Sequence, residues 1–186
     1  IFGAERKESF VFFKKNDQMK VGDKVYVVVS TDQINKLLSA FGHDEKIAKK
    51  ILIIGGGNIG LHLAKLLETT EGLRTKIIEK SKIRAEQIAG ELSSSIVICG
   101  DPLDEKILKE ANIEEAETVF ALTDDDEDNI MACVLAEKYT PSKRTIAIIN
   151  KHNYNILQDS LKIDDLVDPR MTTVSTIMKH VHMGTI

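Results

Sequence analysis

The sequence has no tryptophan, three prolines, two cysteines and no long apolar run, and each scarcity removes a class of protein. Two thiols, Cys99 and Cys133, are too few for a disulfide scaffold and lack the paired spacing of a zinc site. They read as reduced core residues of a cytosolic protein. The longest apolar stretches, 25–29 and 51–54, fall far short of the roughly 20 residues that a membrane helix needs, so no direct membrane insertion is expected. Basic residues are outnumbered, 25 against 29 acids, for a formal charge of −4, which leaves no basic face for nucleic acid. The histidines His43, His62, His152, His180 and His182 are scattered. The last two share a face only in a strand, where a helix is expected, so no zinc site is expected either.

What is present is the ordinary composition of an α/β domain, 42% hydrophobic and 29% charged. A chain of 186 residues has room for one full domain and a smaller piece. It starts at Ile1 and shows no signal-peptide pattern, as expected of a piece of a longer cytoplasmic protein.

The smaller piece is expected at residues 1–43. Ser9–Phe13 and Val25–Val29 are β-rich runs separated by the turn pairs Asn16-Asp17 and Gly22-Asp23, which predicts a hairpin. Ser30-Thr31-Asp32 then precedes an amphipathic stretch with Ile34, Leu37, Leu38 and Phe41, and Gly42 stands where a helix stops. A segment this short needs outside help to bury a core, from another copy or a further part of the protein. The polar residues 44–50 read as a linker.

From 51 onward strands alternate with helices, the signature of a doubly wound, mostly parallel sheet covered on both faces. Strands are predicted at 51–55, 75–79, 95–99, 118–122, 145–149 and 165–167. Helices are predicted near 58–69, 82–92, 104–111, 126–138, 153–160 and 171–182.

The chemistry centres on Gly55-Gly56-Gly57-Asn58-Ile59-Gly60, a Gly-x-Gly-x-x-Gly turn between the first of these strands and its helix. In such a turn Gly55 permits the tight bend, Gly57 lets the backbone approach a pyrophosphate, and Gly60 lets helix and strand pack closely. Asn58 and Ile59 begin the helix whose free amides would face the phosphates. The second strand ends in Glu79, about 24 residues after Gly55, where such folds present an acid to the ribose hydroxyls. Its charge opposes a 2′-phosphate and so favours NAD(H) or an adenine nucleotide, a preference that Lys80 beside it softens. The alternative is that the glycines serve only packing and Glu79 is a solvated strand end.

With this loop, Glu79, Cys99-Gly-Asp-Pro-Leu103 and Ala121-Leu-Thr123 in place, the chain resembles the regulator-of-potassium-conductance (RCK) family. Residues 51–186 resemble its Rossmann nucleotide-binding domain with a final crossover helix, and residues 1–43 resemble the end of its small C-terminal subdomain, notably Val21–Val29. The resemblance implies a middle section of a tandem protein. It also implies adenine contact at Gly100 and Asp101, for which a Gly-Asp-Pro turn is the plain alternative. Thr123 stands at the crevice end of its strand or caps a helix. Glu127 and Asn129, within and after the acidic run Asp124–Asp128, are candidates for contact with the ligand or a bound divalent cation, the alternative being an exposed helix start favoured by the dipole. Lys151 is a candidate phosphate partner or a solvated lysine.

The resemblance further implies a regulator that binds NAD(H) or ATP/ADP, assembles as a dimer or tetramer, and gates an integral-membrane subunit of a Trk-type potassium transporter from the inner face of the cell membrane. No catalytic group is required. The rivals are an NAD-dependent oxidoreductase or methyltransferase fragment, which would need a substrate domain not seen after residue 168, and an assembly module with an empty loop.

Overall fold

The computed structural model describes residues 1–6, 9–42, 48–139 and 144–182. The chain forms two compact units, Ile1–Ile47 and Ala48–Ile186. Much of the expected linker, with His43, lies outside the described residues.

In the first unit, β1 (Gly3–Arg6), β2 (Ser9–Phe12) and β3 (Lys24–Tyr26) form an antiparallel sheet of order β2-β1-β3. The expected hairpin is therefore corrected: both predicted runs pair with β1 and not with each other. Gly-Ala-Glu-Arg is too short and too polar to read as a strand, and its place in the middle comes from the partners on either side. Phe2, Phe10, Phe12 and Tyr26 cluster, with the Phe10 and Phe12 rings 4.8 Å apart, yet all four are exposed. A turn of 3₁₀ helix leads into α1 (Ile34–Ala40), and Gly42 follows with φ +79°, the left-handed conformation that ends helices.

The second unit is a six-stranded parallel sheet of order β6-β5-β4-β7-β8-β9, built from β4 (Lys50–Ile54), β5 (Arg74–Glu79), β6 (Ile96–Cys99), β7 (Thr118–Ala121), β8 (Arg144–Ile148) and β9 (Asp165–Val167). This is the doubly wound arrangement expected, with the order reversing at β4. The helices are α2 (Asn58–Glu68), α3 (Lys82–Glu91), α4 (Glu105–Glu110), α5 (Asp126–Tyr139), α6 (Gln158–Leu161) and α7 (Pro169–His182). The helix predicted at 153–160 is instead a 3₁₀ turn over His152–Leu157 followed by the short α6.

Two apolar layers hold the sheet. Leu52, Ile54, Ile78 and Val119 face one way with Cys133 and Ala136 of α5, while Ile53 and Ile77 face the other with Ala64 of α2 and Ile88 of α3. Each fully buried Ile or Leu contributes about 1.5–3 kcal/mol relative to exposure. Burial pushes the Cys133 thiol up to about 12. Cys99 departs from expectation: it is exposed, because β6 is an edge strand whose end has no neighbour beyond it. No helix among the described residues is long and apolar enough to cross a membrane.

Candidate functional site

The crevice lies at the C-terminal ends of β4, β5 and β7. β4 stops at Ile54 because Gly55 turns the chain with φ +104°, a conformation that side chains avoid. A Cβ on Gly55 would also meet the Thr123 nitrogen at 2.8 Å and the Leu122 carbonyl oxygen at 2.9 Å. The ends of β4 and β7 thus abut through this glycine. One on Gly60 would overlap the Gly55 carbonyl oxygen, so α2 can lie this close to β4 only with glycine there. Gly57 differs: a Cβ there would meet nothing within 4 Å. Open space therefore stands over the backbone where a phosphate group would approach. Gly57 is the N-cap of α2 and no side chain caps that end, so the first-turn amides from Asn58 onward are available. Asn58 is exposed and Ile59 is half exposed beside them.

Glu79 is no idle strand end. Its Oε2 accepts from the Gly56 N–H at 2.8 Å and its Oε1 from the Ser81 N–H at 2.8 Å. The carboxylate joins the glycine loop to the start of α3. From that helix Arg84 reaches back, donating through Nε to the Gly56 carbonyl at 2.8 Å and through Nη2 to Asn58 Oδ1 at 3.4 Å. Sequence reasoning missed Arg84. Its only signal is a cation five positions beyond the acid, which nothing local marks as facing the loop.

Lys80 pairs with Asp101 at 2.7 Å, tying the ends of β5 and β6, and the ammonium holds the Asp101 carboxyl below its ordinary range. The Gly100 N–H donates to the Glu79 carbonyl at 3.0 Å, and a Cβ on Gly100 would overlap Ile107. Asp101 Oδ1 also accepts from the Leu103 N–H at 2.9 Å, which closes the Asp-Pro turn.

At the β7 end, Thr123 Oγ1 lies 2.7 Å from Asn129 Oδ1, which also accepts from the Thr123 N–H at 2.9 Å. The helix cap is Asp125, whose Oδ1 accepts from the Asp128 N–H at 2.8 Å. Asn129 is fully buried, and its Nδ2 donates to the carbonyls of Thr123 at 3.0 Å and Ile148 at 2.9 Å. It clamps the ends of β7 and β8 together.

The acidic run is more than an exposed helix start. Asp126 is 4% exposed and accepts from the N–H groups of Asn150 at 2.9 Å and Lys151 at 2.8 Å. Glu127 accepts from Lys151 Nζ at 2.6 Å and the Tyr154 hydroxyl at 2.6 Å, which hold its carboxyl down to about 2. Lys151 is therefore paired, with its ammonium 5.5 Å from the Tyr154 ring centroid. Asp126 and Tyr154 were not legible as partners, because the contacts join segments far apart in sequence.

The structure brings together two groups of the expected residues, Gly55–Gly60 with Glu79, and Thr123 with Asn129 beside Gly55. Glu127 and Lys151 form a third pair, and Lys80 with Asp101 a fourth. Among the described residues no three His, Cys, Asp or Glu side chains are grouped to hold a metal ion; the side chains of His152, His180 and His182 lie outside the described set.

Residues 51–169 match the model of the TrkA-N domain family. The chain is 42% identical to the Trk system potassium uptake protein TrkA of Azorhizobium caulinodans, over all of this chain and 41% of that protein. It is 36% identical to the Vibrio alginolyticus protein of the same name, over 90% of this chain and 36% of that one. The chain thus spans about two fifths of the length of these relatives. Both are named for potassium uptake and not for a catalysed reaction, in keeping with the expected regulator. Among solved structures, the TrkA-N domain of the Escherichia coli inner membrane protein YbaL superposes with TM-score 0.64 at 17% identity, over 73% of this chain and 98% of that one. The GsuK channel bound to NAD superposes with TM-score 0.56 at 20% identity, over 66% of this chain and 22% of that one. These two likenesses show a shared fold. With the family match covering well over half of the chain, from the first strand of the parallel sheet through its last, the chain belongs to the TrkA-N domain family.

Proposed function

We propose that this chain is the nucleotide-sensing part of a regulatory subunit of a potassium uptake transporter. The carrying observation is the space over Gly57, joined to the uncapped start of α2. A pyrophosphate fits that place by charge and by clearance. Gly55, Gly57, Asn58, Ile59 and Gly60 would line the phosphate side, while Glu79 and Lys80, with Gly100 and Asp101, would face the adenosine side. Thr123 would close the floor, with Asn129 holding it from behind. Lys151 reaches a phosphate only by leaving Glu127, which makes that ion pair an exchangeable contact.

The ligand is NAD(H) or ATP/ADP, as the acid at the end of β5 favours a free ribose 2′-hydroxyl. NAD bound to the GsuK channel supports the first choice. Binding would alter the geometry of a homo-oligomer and pass that change to an integral-membrane Trk subunit at the inner face of the cell membrane, through different affinities for two states. The names of the relatives support the potassium partner.

Calorimetric titration with NADH, NAD, ATP and ADP tests the reading. Saturable binding of one of them by the wild type, abolished in Gly57→Asp, is expected, because a carboxylate would occupy the space and oppose the phosphates. Binding of none of the four overturns it, as does unchanged binding in the variant. Turnover of a substrate at enzymic rates would favour an oxidoreductase instead.

A further inference from the structure

At the other end of the large sheet, the N-terminal ends of β4 and β5, the start of β6 and the segment after α4 line an open cavity of about 490 Å³. That volume falls within the ~300–1,000 Å³ of small-molecule sites. Leu73 gives it an apolar wall in front of the buried Leu52, and Ile96, 56% exposed on the edge strand, forms a lip. Three cations, Lys50, Arg74 and Lys76, stand around it against one carboxylate, Glu115, which Lys50 already pairs at 2.8 Å. Lys76 Nζ donates to Asn112 Oδ1 at 2.8 Å and to the Glu110 carbonyl at 3.4 Å, which leaves its third hydrogen to donate. The Arg74 guanidinium has no partner among the described residues.

We propose that this cavity binds a small organic anion with an apolar body, a medium-chain carboxylate in chemical class. The apolar lining takes the hydrocarbon, and Arg74 and Lys76, alternate residues on one face of β5, take the carboxylate. A cationic ligand would meet an excess of two positive charges, three cations against Glu115, and a neutral one would leave Arg74 unused. The site shares no residue with the glycine loop and does not depend on nucleotide binding.

Octanoate is the probe, followed by backbone amide NMR of the whole chain. Saturable shifts are expected at 50–52, 73–76 and 111–116 and not at 55–60. Arg74→Gln removes one charge and breaks no hydrogen bond to a described residue. It is expected to weaken octanoate about tenfold, with the melting temperature and nucleotide affinity unchanged. Octan-1-ol, without the charge, should bind at least about tenfold more weakly than octanoate by the same arithmetic. Absence of saturable shifts at these residues overturns the proposal, as does equal binding of the alcohol. Wild-type octanoate affinity in both Arg74→Gln and Lys76→Gln overturns it too.

Discussion

Glu79 and Arg84 grip one peptide residue from its two ends: the carboxylate accepts from the Gly56 N–H at 2.8 Å and the guanidinium donates to the Gly56 carbonyl at 2.8 Å. The conformation of the glycine loop is thereby fixed before any phosphate arrives, and the ordering cost is met in folding instead of in binding. Arg84→Met keeps the aliphatic stem and removes the charged hydrogen bond to the Gly56 carbonyl, worth about 1.5–3 kcal/mol, together with those to Asn58 and Gln87. The affinity for ADP should fall about tenfold, while that for adenosine, which lacks phosphate, should hold. Calorimetry with both ligands measures the difference.

The loop glycines should separate by role. Gly60→Ala places a methyl group against the Gly55 carbonyl and should destabilise the fold by about 1–3 kcal/mol through overpacking. Gly57→Ala enters open space and should leave the urea midpoint nearly unchanged, with its loss appearing in nucleotide affinity. Equal midpoints for the two variants would contradict this division.

Asn129→Leu is expected to be costly to the fold itself, with or without a ligand. It strands the Thr123 N–H and the Ile148 carbonyl, each worth about 1–3 kcal/mol when buried and unpaired. Thermal unfolding should move down by roughly 5–15 °C for a chain of this size.

Glu127 supplies a pH dependence with a defined sign. Its carboxyl is held down to about 2 by Lys151 and Tyr154, below the roughly 4.3 of an unfolded glutamate. A group depressed on folding stabilises the folded state fully above its unfolded value, and that stability is lost as pH falls toward the folded one. Wild type should therefore lead Glu127→Gln in unfolding experiments at pH 6, and the two should converge between about pH 4.3 and 2. A constant gap across that window would show that the ion pair contributes nothing through protonation.

The sequence by itself determined the parallel Rossmann sheet and the place of its glycine loop. Both are written locally: the runs Ile51–Ile54 and Thr75–Glu79 are continuous and apolar enough to be strands, and Gly55 and Gly60 stand where one chain segment must bend or approach another. Tertiary structure alone decided which side chains serve the loop and which serve the frame. Arg84 reaches Gly56 across 28 positions and Asp126 holds Asn150 across 24. Cys99 lies exposed because its strand became an edge, and Gly3–Arg6 became a strand because two others flanked it. Residues within one strand or helix are constrained by periodicity and backbone sterics, which a sequence displays. The partner of a charged side chain is set by which element ends the packed core brings together, and that is a property of the assembled sheet.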